Sequence, residues 1–137
     1  MVNKFKNILT GNLEILNSTI EESIPSETKF TWLAPHSGLY VPDYALNLLS
    51  EQDAVFSEIF KDGDPWTNNF DFRDIGGHGI HTKIHRDVSD PNRSIDRKDF
   101  IRNYSFHGEP IVVGKIDNAT RKKLESLSVE YWNKIKN

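Results

Sequence analysis

The sequence contains no cysteine, which removes disulfide cross-links, thiolate nucleophiles and every cysteine-based zinc site at once. Strong metal ligands must come from histidine and carboxylate side chains. No basic surplus exists either: 17 Lys and Arg stand against 20 Asp and Glu, a formal net charge of -3. Neutralising a phosphate backbone needs a basic footprint, so nucleic acid is not an expected partner. Long apolar runs are also missing. Met1 to Gly11 interleaves lysines with apolar residues and never reaches the roughly 7 to 15 consecutive apolar residues of a signal-peptide core or the ~20 of a membrane span. The expectation is a cytoplasmic chain with no membrane partner.

What is present suits a folded protein. Of 137 residues, 36% are hydrophobic and 27% charged, and three Trp, four Tyr and eight Phe supply bulk for a core. A chain of this length can bury about two thirds of the surface it exposes when unfolded. One domain spanning 1–137 is expected, either complete or a piece of something larger. There is no internal repeat and no low-complexity tract.

The apolar pattern alternates between helical and extended spacing. Val2, Phe5, Ile8, Leu9, Leu13 and Leu16 predict an amphipathic helix over 2–16, interrupted by Gly11. Phe30, Trp32 and Leu33 predict a buried strand over Thr28 to Ala34, which delivers Pro35-His36-Ser37-Gly38 at its carboxyl end. In open α/β sheets, ligands sit beyond that end of the strands. Asp43 suits a helix start, and Ser50 to Asp53 reads as a capping box before Val55, Phe56, Ile59 and Phe60. Gly76, Gly77 and Gly79 predict a loop, Ile80 to His85 a strand, and Ile111 to Gly114 a short apolar run. From Asn118, the spacing of Leu124, Leu127, Tyr131 and Ile135 predicts a C-terminal helix.

Two groups of residues could carry chemistry. His78, His81 and His85 have spacings that suggest a metal site, but three glycines in the same stretch cost a helix roughly 1 kcal/mol each relative to Ala. In a strand only His81 and His85 would share a face. Ordinary polar histidines are the competing reading.

The second group is discontinuous: Pro35-His36-Ser37-Gly38, Asp64-Pro65-Trp66-Thr67, and Arg86 to Arg93 with the core Asp90-Pro91-Asn92-Arg93. His36, on a loop after a strand, is placed to ligate a metal or to be satisfied by backbone groups. Asp64 could be a carboxylate ligand or a turn residue beside Gly63 and Pro65, and Asp53 is a weaker candidate because capping already explains it. Arginine pairs with carboxylates through a planar fork, so Asn92 and Arg93 could clamp an anionic substrate, or the arginines could make ordinary surface ion pairs.

In these three segments the chain resembles the N-formylglutamate amidohydrolase family, over about residues 28–100 and more loosely in the tail. The resemblance implies a three-layer α/β fold with a mostly parallel or mixed sheet flanked by helices, of which this chain would be the N-terminal part. It implies zinc-dependent hydrolysis of the amide of N-formylglutamate or a related small N-acyl amino acid. His36 and Asp64 would hold the zinc, and Arg86 would stabilise the oxyanion, as in the wider zinc-carboxypeptidase-like superfamily. Asn92 and Arg93 would bind the substrate carboxylate, Ser37 and Gly38 would touch substrate, and Asp90 would orient the arginines. Two departures stand out: His85 replaces the family's Ser before Arg86, and Pro91 its Leu before Asn92.

The family's further His-containing zinc motif and general-base carboxylate have no counterpart here; beside the small N-acyl amino acid, a homo-oligomer or a completing subunit stays open as a partner. His85 could substitute as a ligand. Two other readings stay open: a small-carboxylate-binding module without turnover, and an iron/2-oxoglutarate oxygenase built on His85, Asp87 and His107.

Overall fold

The computed structural model describes residues 10–11, 18–46, 48, 62–105, 107–112 and 115–137. Strands β1 (Thr10–Gly11), β2 (Ile20–Ser23), β3 (Phe30–Ala34) and β4 (Val41–Pro42) lead into a short helix α1 (Asp43–Leu46). Two 3₁₀ turns, Pro65–Asn69 and Arg73–Ile75, precede β5 (Gly77–Thr82), and helix α2 (Asn118–Lys136) closes the chain.

The main sheet has three strands in the order β2-β5-β3 and is mixed, with β2 antiparallel and β3 parallel to β5. Trp32 pairs with Gly79 and Ala34 with His81 on the parallel side. A separate parallel pair joins β1 to β4, Thr10 opposite Val41. The predicted helix over 2–16 therefore gives way to a strand at Thr10 and Gly11, while its other residues lie outside the described residues. The helix predicted from Ser50 also lies outside them.

The predicted strand at Thr28 to Ala34 forms as β3, but it is not buried. Among the described strands β3 lies at the sheet's edge, so Phe30 and Leu33 remain exposed and only Ala34 is enclosed. The glycine loop becomes part of β5 because aromatic side chains cover that strand closely: a Cβ on Gly79 would stand 2.7 Å from Trp32 Nε1 and 2.4 Å from Ser23 Oγ. Lacking side chains, Gly77 and Gly79 let the cover settle onto the backbone. Gly76 just before them has φ 86, the left-handed turn that only glycine adopts cheaply.

Helix α2 starts where Asp117 accepts a hydrogen bond from the backbone N–H of Thr120, 2.8 Å, a cap that satisfies one of the helix's orphan donors. Its buried face carries Leu124, Leu127, Ser128 and Tyr131. Leu124 and Leu127 join Val41, Ala45, Ile84, Val88, Phe100 and Ile111 in the larger core cluster; each such Val, Leu, Ile or Phe side chain contributes about 1.5–3 kcal/mol by leaving water. Tyr131 packs with Ile20 and Ile80 in a second cluster, and its hydroxyl donates to the Ile80 carbonyl at 3.1 Å. The helix thus packs on the sheet through Tyr131, Ile135 and the Lys134–Glu22 ion pair, and on the larger core cluster through Leu124 and Leu127.

No helix among the described residues is long and apolar enough to cross a membrane.

Candidate functional site

Three loops meet beyond the carboxyl end of β3. The first carries His36, the second Asp62 to Asp64, and the third His85 to Arg93. Backbone bonds bring them together: the Asp64 N–H donates to the His36 carbonyl at 2.8 Å, and the His85 N–H to the Tyr40 carbonyl at 2.9 Å. The third loop is also held from behind by α2. Ser89 Oγ donates to the Leu124 carbonyl at 2.8 Å, and Trp132 Nε1 to the Pro91 carbonyl at 2.7 Å.

Asp90 is the centre of this arrangement. Its side chain is wholly buried, and Oδ1 lies 2.9 Å from His36 Nε2. Oδ2 lies 3.1 Å from an Arg86 terminal nitrogen and 3.4 Å from Arg93 Nε. The backbone N–H of Asn92 adds a fourth contact to Oδ1 at 3.0 Å. Burial would push this carboxyl up, but the His36 hydrogen bond, the Arg86 charge and the Asn92 N–H outweigh it and hold Asp90 down at about 2. An ionised carboxylate has no proton to give, so the bond at Oδ1 must be donated by His36 Nε2–H.

The other nitrogen of His36 faces Asp64. Nδ1 is 3.5 Å from Asp64 Oδ2, with the Asp64 side chain 57% exposed and His36 at 11%. Two ligands on a tetrahedral zinc, at about 2.0–2.2 Å each, sit about 3.3–3.6 Å apart. The His36–Asp64 spacing fits that edge, and a buried carboxylate on the far nitrogen is the usual support of a metal-bound imidazole. Among the described residues, no group of three or more His, Asp or Glu side chains is arranged to hold a metal ion. A cation at this edge would need a further ligand.

Ser37 and Gly38, expected to touch substrate, are used differently. Ser37 is buried, and its hydroxyl lies 3.0 Å from the carbonyls of both Ala34 and Thr82. Gly38 runs so close to the next loop that a Cβ there would meet the Lys83 carbonyl carbon at 2.2 Å. Both residues close the loop that presents His36. Asn92 contacts Asp90 through its backbone, leaving its side chain exposed.

Arg93 is clamped on two sides. Besides Asp90, it pairs with Asp99 through Nη1, which also donates to the Asp99 carbonyl at 2.9 Å. Asp99 further binds Arg97 at 2.7 Å. Nothing in the motif pattern pointed to Asp99, because the pairing spans six residues of an irregular loop.

Behind the site lies a second buried charge cluster. Arg102 lies 3.2 Å from Asp62 and 3.3 Å from Asp87, both carboxylates fully buried. It thereby ties the Asp64 loop to the Arg86–Asp90 loop. Burial, then the neighbouring Asp62 charge, push Asp87 up, and although Arg102 and Arg86 pull the other way it reaches about 7. Asp62 and Asp64 flank Gly63, one enclosed and the other open to solvent, a difference that nothing in the sequence marked.

The remaining histidines do not assemble with His36. His78 pairs with Glu22 at 3.0 Å on one face of β5. His81, three residues on, packs edge-on against Trp32 on the other, ring centroids 4.9 Å apart, and burial lowers its pKa. His85 is fully buried; its Nδ1 accepts from the Asp87 backbone N–H at 3.1 Å, and its Nε2 sits beside Gly63. His107 is exposed on a turn, whereas His85 and Asp87 are enclosed, so these three do not share an open face.

Comparison with family models, with curated proteins and with solved structures gives no match. The likeness to N-formylglutamate amidohydrolases therefore rests on the three sequence motifs alone.

Proposed function

We propose that this chain is the N-terminal part of a zinc-dependent amidohydrolase acting on N-formylglutamate or a related N-acyl amino acid. The observation that supports it best is the shared carboxylate. Asp90 contacts His36, Arg86 and Arg93 at once, so one imidazole and two guanidinium groups meet at a single carboxylate, and these are the group types that a metal ion and an anionic substrate would need. Under this reading the three-layer architecture of the family is completed by further polypeptide, in the same chain or in a partner.

His36 Nδ1 and Asp64 would hold the metal, with Asp90 fixing the tautomer of the imidazole. Zinc bound there would supply an activated water and polarise the scissile carbonyl. Arg86 is the expected oxyanion partner, held in place by its pairing with Asp90; removing one such donor typically costs about 2.7–4 kcal/mol in the transition state. Arg93 is the residue for the substrate carboxylate, with its fork pre-aimed by Asp90 and Asp99.

A second reading, a small-carboxylate-binding module without turnover, is favoured by the donor set. A catalytic zinc takes three protein ligands, and the described residues offer two at this position.

Metal analysis of the purified protein together with assay of N-acyl amino acid hydrolysis separates the two. The amidohydrolase predicts near-stoichiometric zinc that disappears in His36→Ala. It also predicts that Arg93→Ala raises KM strongly and leaves zinc content unchanged. Carboxylate binding with neither zinc nor turnover would establish the module instead.

A further inference from the structure

Arg93 belongs to two places at once. On one side it reaches Asp90 and the candidate centre; on the other it lines an open groove of about 280 Å³ between the loop after Asn92 and helix α2. The floor of this groove is apolar, formed by Ile95, Val129 and Trp132, each of which is substantially exposed. Lys136 stands on the rim, so its two charged lining residues are both cationic and no acidic side chain lines it.

The groove is braced. Trp132 is fixed to the Pro91 carbonyl at 2.7 Å, and Arg121 of α2 donates to the carbonyls of Ile95 and Arg97 at 2.9 and 3.0 Å. Its walls are therefore tied to the loop that carries Arg93, and a ligand entering it need not order them.

We propose that this groove takes the amino-acid side chain of the substrate, and that the preferred side chain is aromatic or branched aliphatic. The proposal rests on the N-acyl amino acid reading above and narrows its substrate class. With the α-carboxylate on Arg93, a side chain directed away from His36 meets Ile95, Val129 and Trp132. The volume lies near the lower end of small-ligand pockets, about 300–1,000 Å³, and suits one side chain better than a peptide. Apolar surface placed there gains by leaving water. An acidic side chain could reach only Lys136, and ion pairs at so exposed a position are worth little. Lysine and arginine side chains find no carboxylate among the lining residues of the groove. A free α-carboxylate can pair with Arg93, which its amide cannot.

The test is binding, measured by titration calorimetry, which needs neither metal nor turnover. N-acetyl-L-phenylalanine should bind the wild-type protein about tenfold or more tightly than N-formyl-L-glutamate, the scale on which apolar pockets discriminate. Its amide should bind far more weakly than the acid. Val129→Glu, which puts a carboxylate on the apolar floor of the groove, should weaken N-acetyl-L-phenylalanine binding about tenfold or more. Equal or tighter binding of the glutamate compound, no binding of either acid, or an unchanged phenylalanine affinity in Val129→Glu would each overturn the groove assignment. The preference without zinc or hydrolysis would sink the amidohydrolase reading and leave the groove standing. Hydrolysis without side-chain preference would do the reverse.

Discussion

His36 and Asp90 are 54 residues apart in sequence, yet Nε2 of the one lies 2.9 Å from Oδ1 of the other. The same carboxylate holds two arginines through its second oxygen, so one buried negative charge organises an imidazole and two guanidinium groups.

Replacing Asp90 with Asn keeps the size and removes the charge. Breaking a buried ion pair from one side typically costs about 3–5 kcal/mol, because the partner's charge stays behind uncompensated. Urea unfolding of Asp90→Asn should show a loss of that order. A loss below about 1 kcal/mol would mean that the arginines find other partners and that Asp90 does not organise the site.

Asp90 also sets an acid limit on stability. Its folded value, about 2, lies below the ordinary 3.8, so on acidification the unfolded chain takes up the proton first. The stabilisation is complete above about pH 4 and is lost as pH falls from there through about 2, amounting to roughly 2 kcal/mol. Unfolding free energies measured between pH 5 and pH 2 should show this limb in the wild type and a shallower one in Asp90→Asn.

Asp87 acts in the opposite direction. With its folded value raised to about 7 from 3.8, the folded protein keeps a proton that the unfolded chain releases near pH 4. Its contribution to stability therefore falls as pH rises from about 4 to about 7. Asp87→Asn, neutral throughout, should remove that slope and be relatively more stable against wild type at pH 7.5 than at pH 4.5. Identical slopes in the two proteins would show that Asp87 is ionised across the range.

The two residues after His36 should separate cleanly. Ser37→Ala loses a buried hydroxyl between two carbonyls and should cost about 1 kcal/mol. Gly38→Ala forces a Cβ to within 2.2 Å of the Lys83 backbone, which must move. Overpacking of this kind costs about 1–3 kcal/mol or more, so its melting temperature should fall well below that of Ser37→Ala.

Local pattern read some elements well. Helix α2 was legible because an N-cap, helical apolar spacing and length all agree within one segment, and β3 because its apolar run ends at a proline. The extent of β5 was misread. Glycines at 77 and 79 suggest a loop by propensity, whereas the structure uses them to seat Trp32 and its neighbours on the strand. Strand β2, with the sequence Ile-Glu-Glu-Ser, gave no apolar signal and exists because β5 offers it a pairing edge. The motif residues His36, Asp64, Arg86, Asp90 and Arg93 were legible as candidates, and they do gather. The uses of Ser37, Gly38, Asp62, Asp87, Asp99 and Arg102 were not.

By itself the sequence determined which chemical groups are available and in what local order: no thiol, one histidine after a strand, and an arginine-rich loop broken by proline. Only the tertiary structure decided which of those groups touch. Hydrogen bonds and ion pairs act over about 3 Å, while His36 and Asp90, or Asp62 and Arg102, lie tens of positions apart, and neither periodicity nor propensity carries information across such a distance. Helix packing and loop-to-loop backbone bonds bring them together, and the partners are then fixed by what burial requires each charge to find.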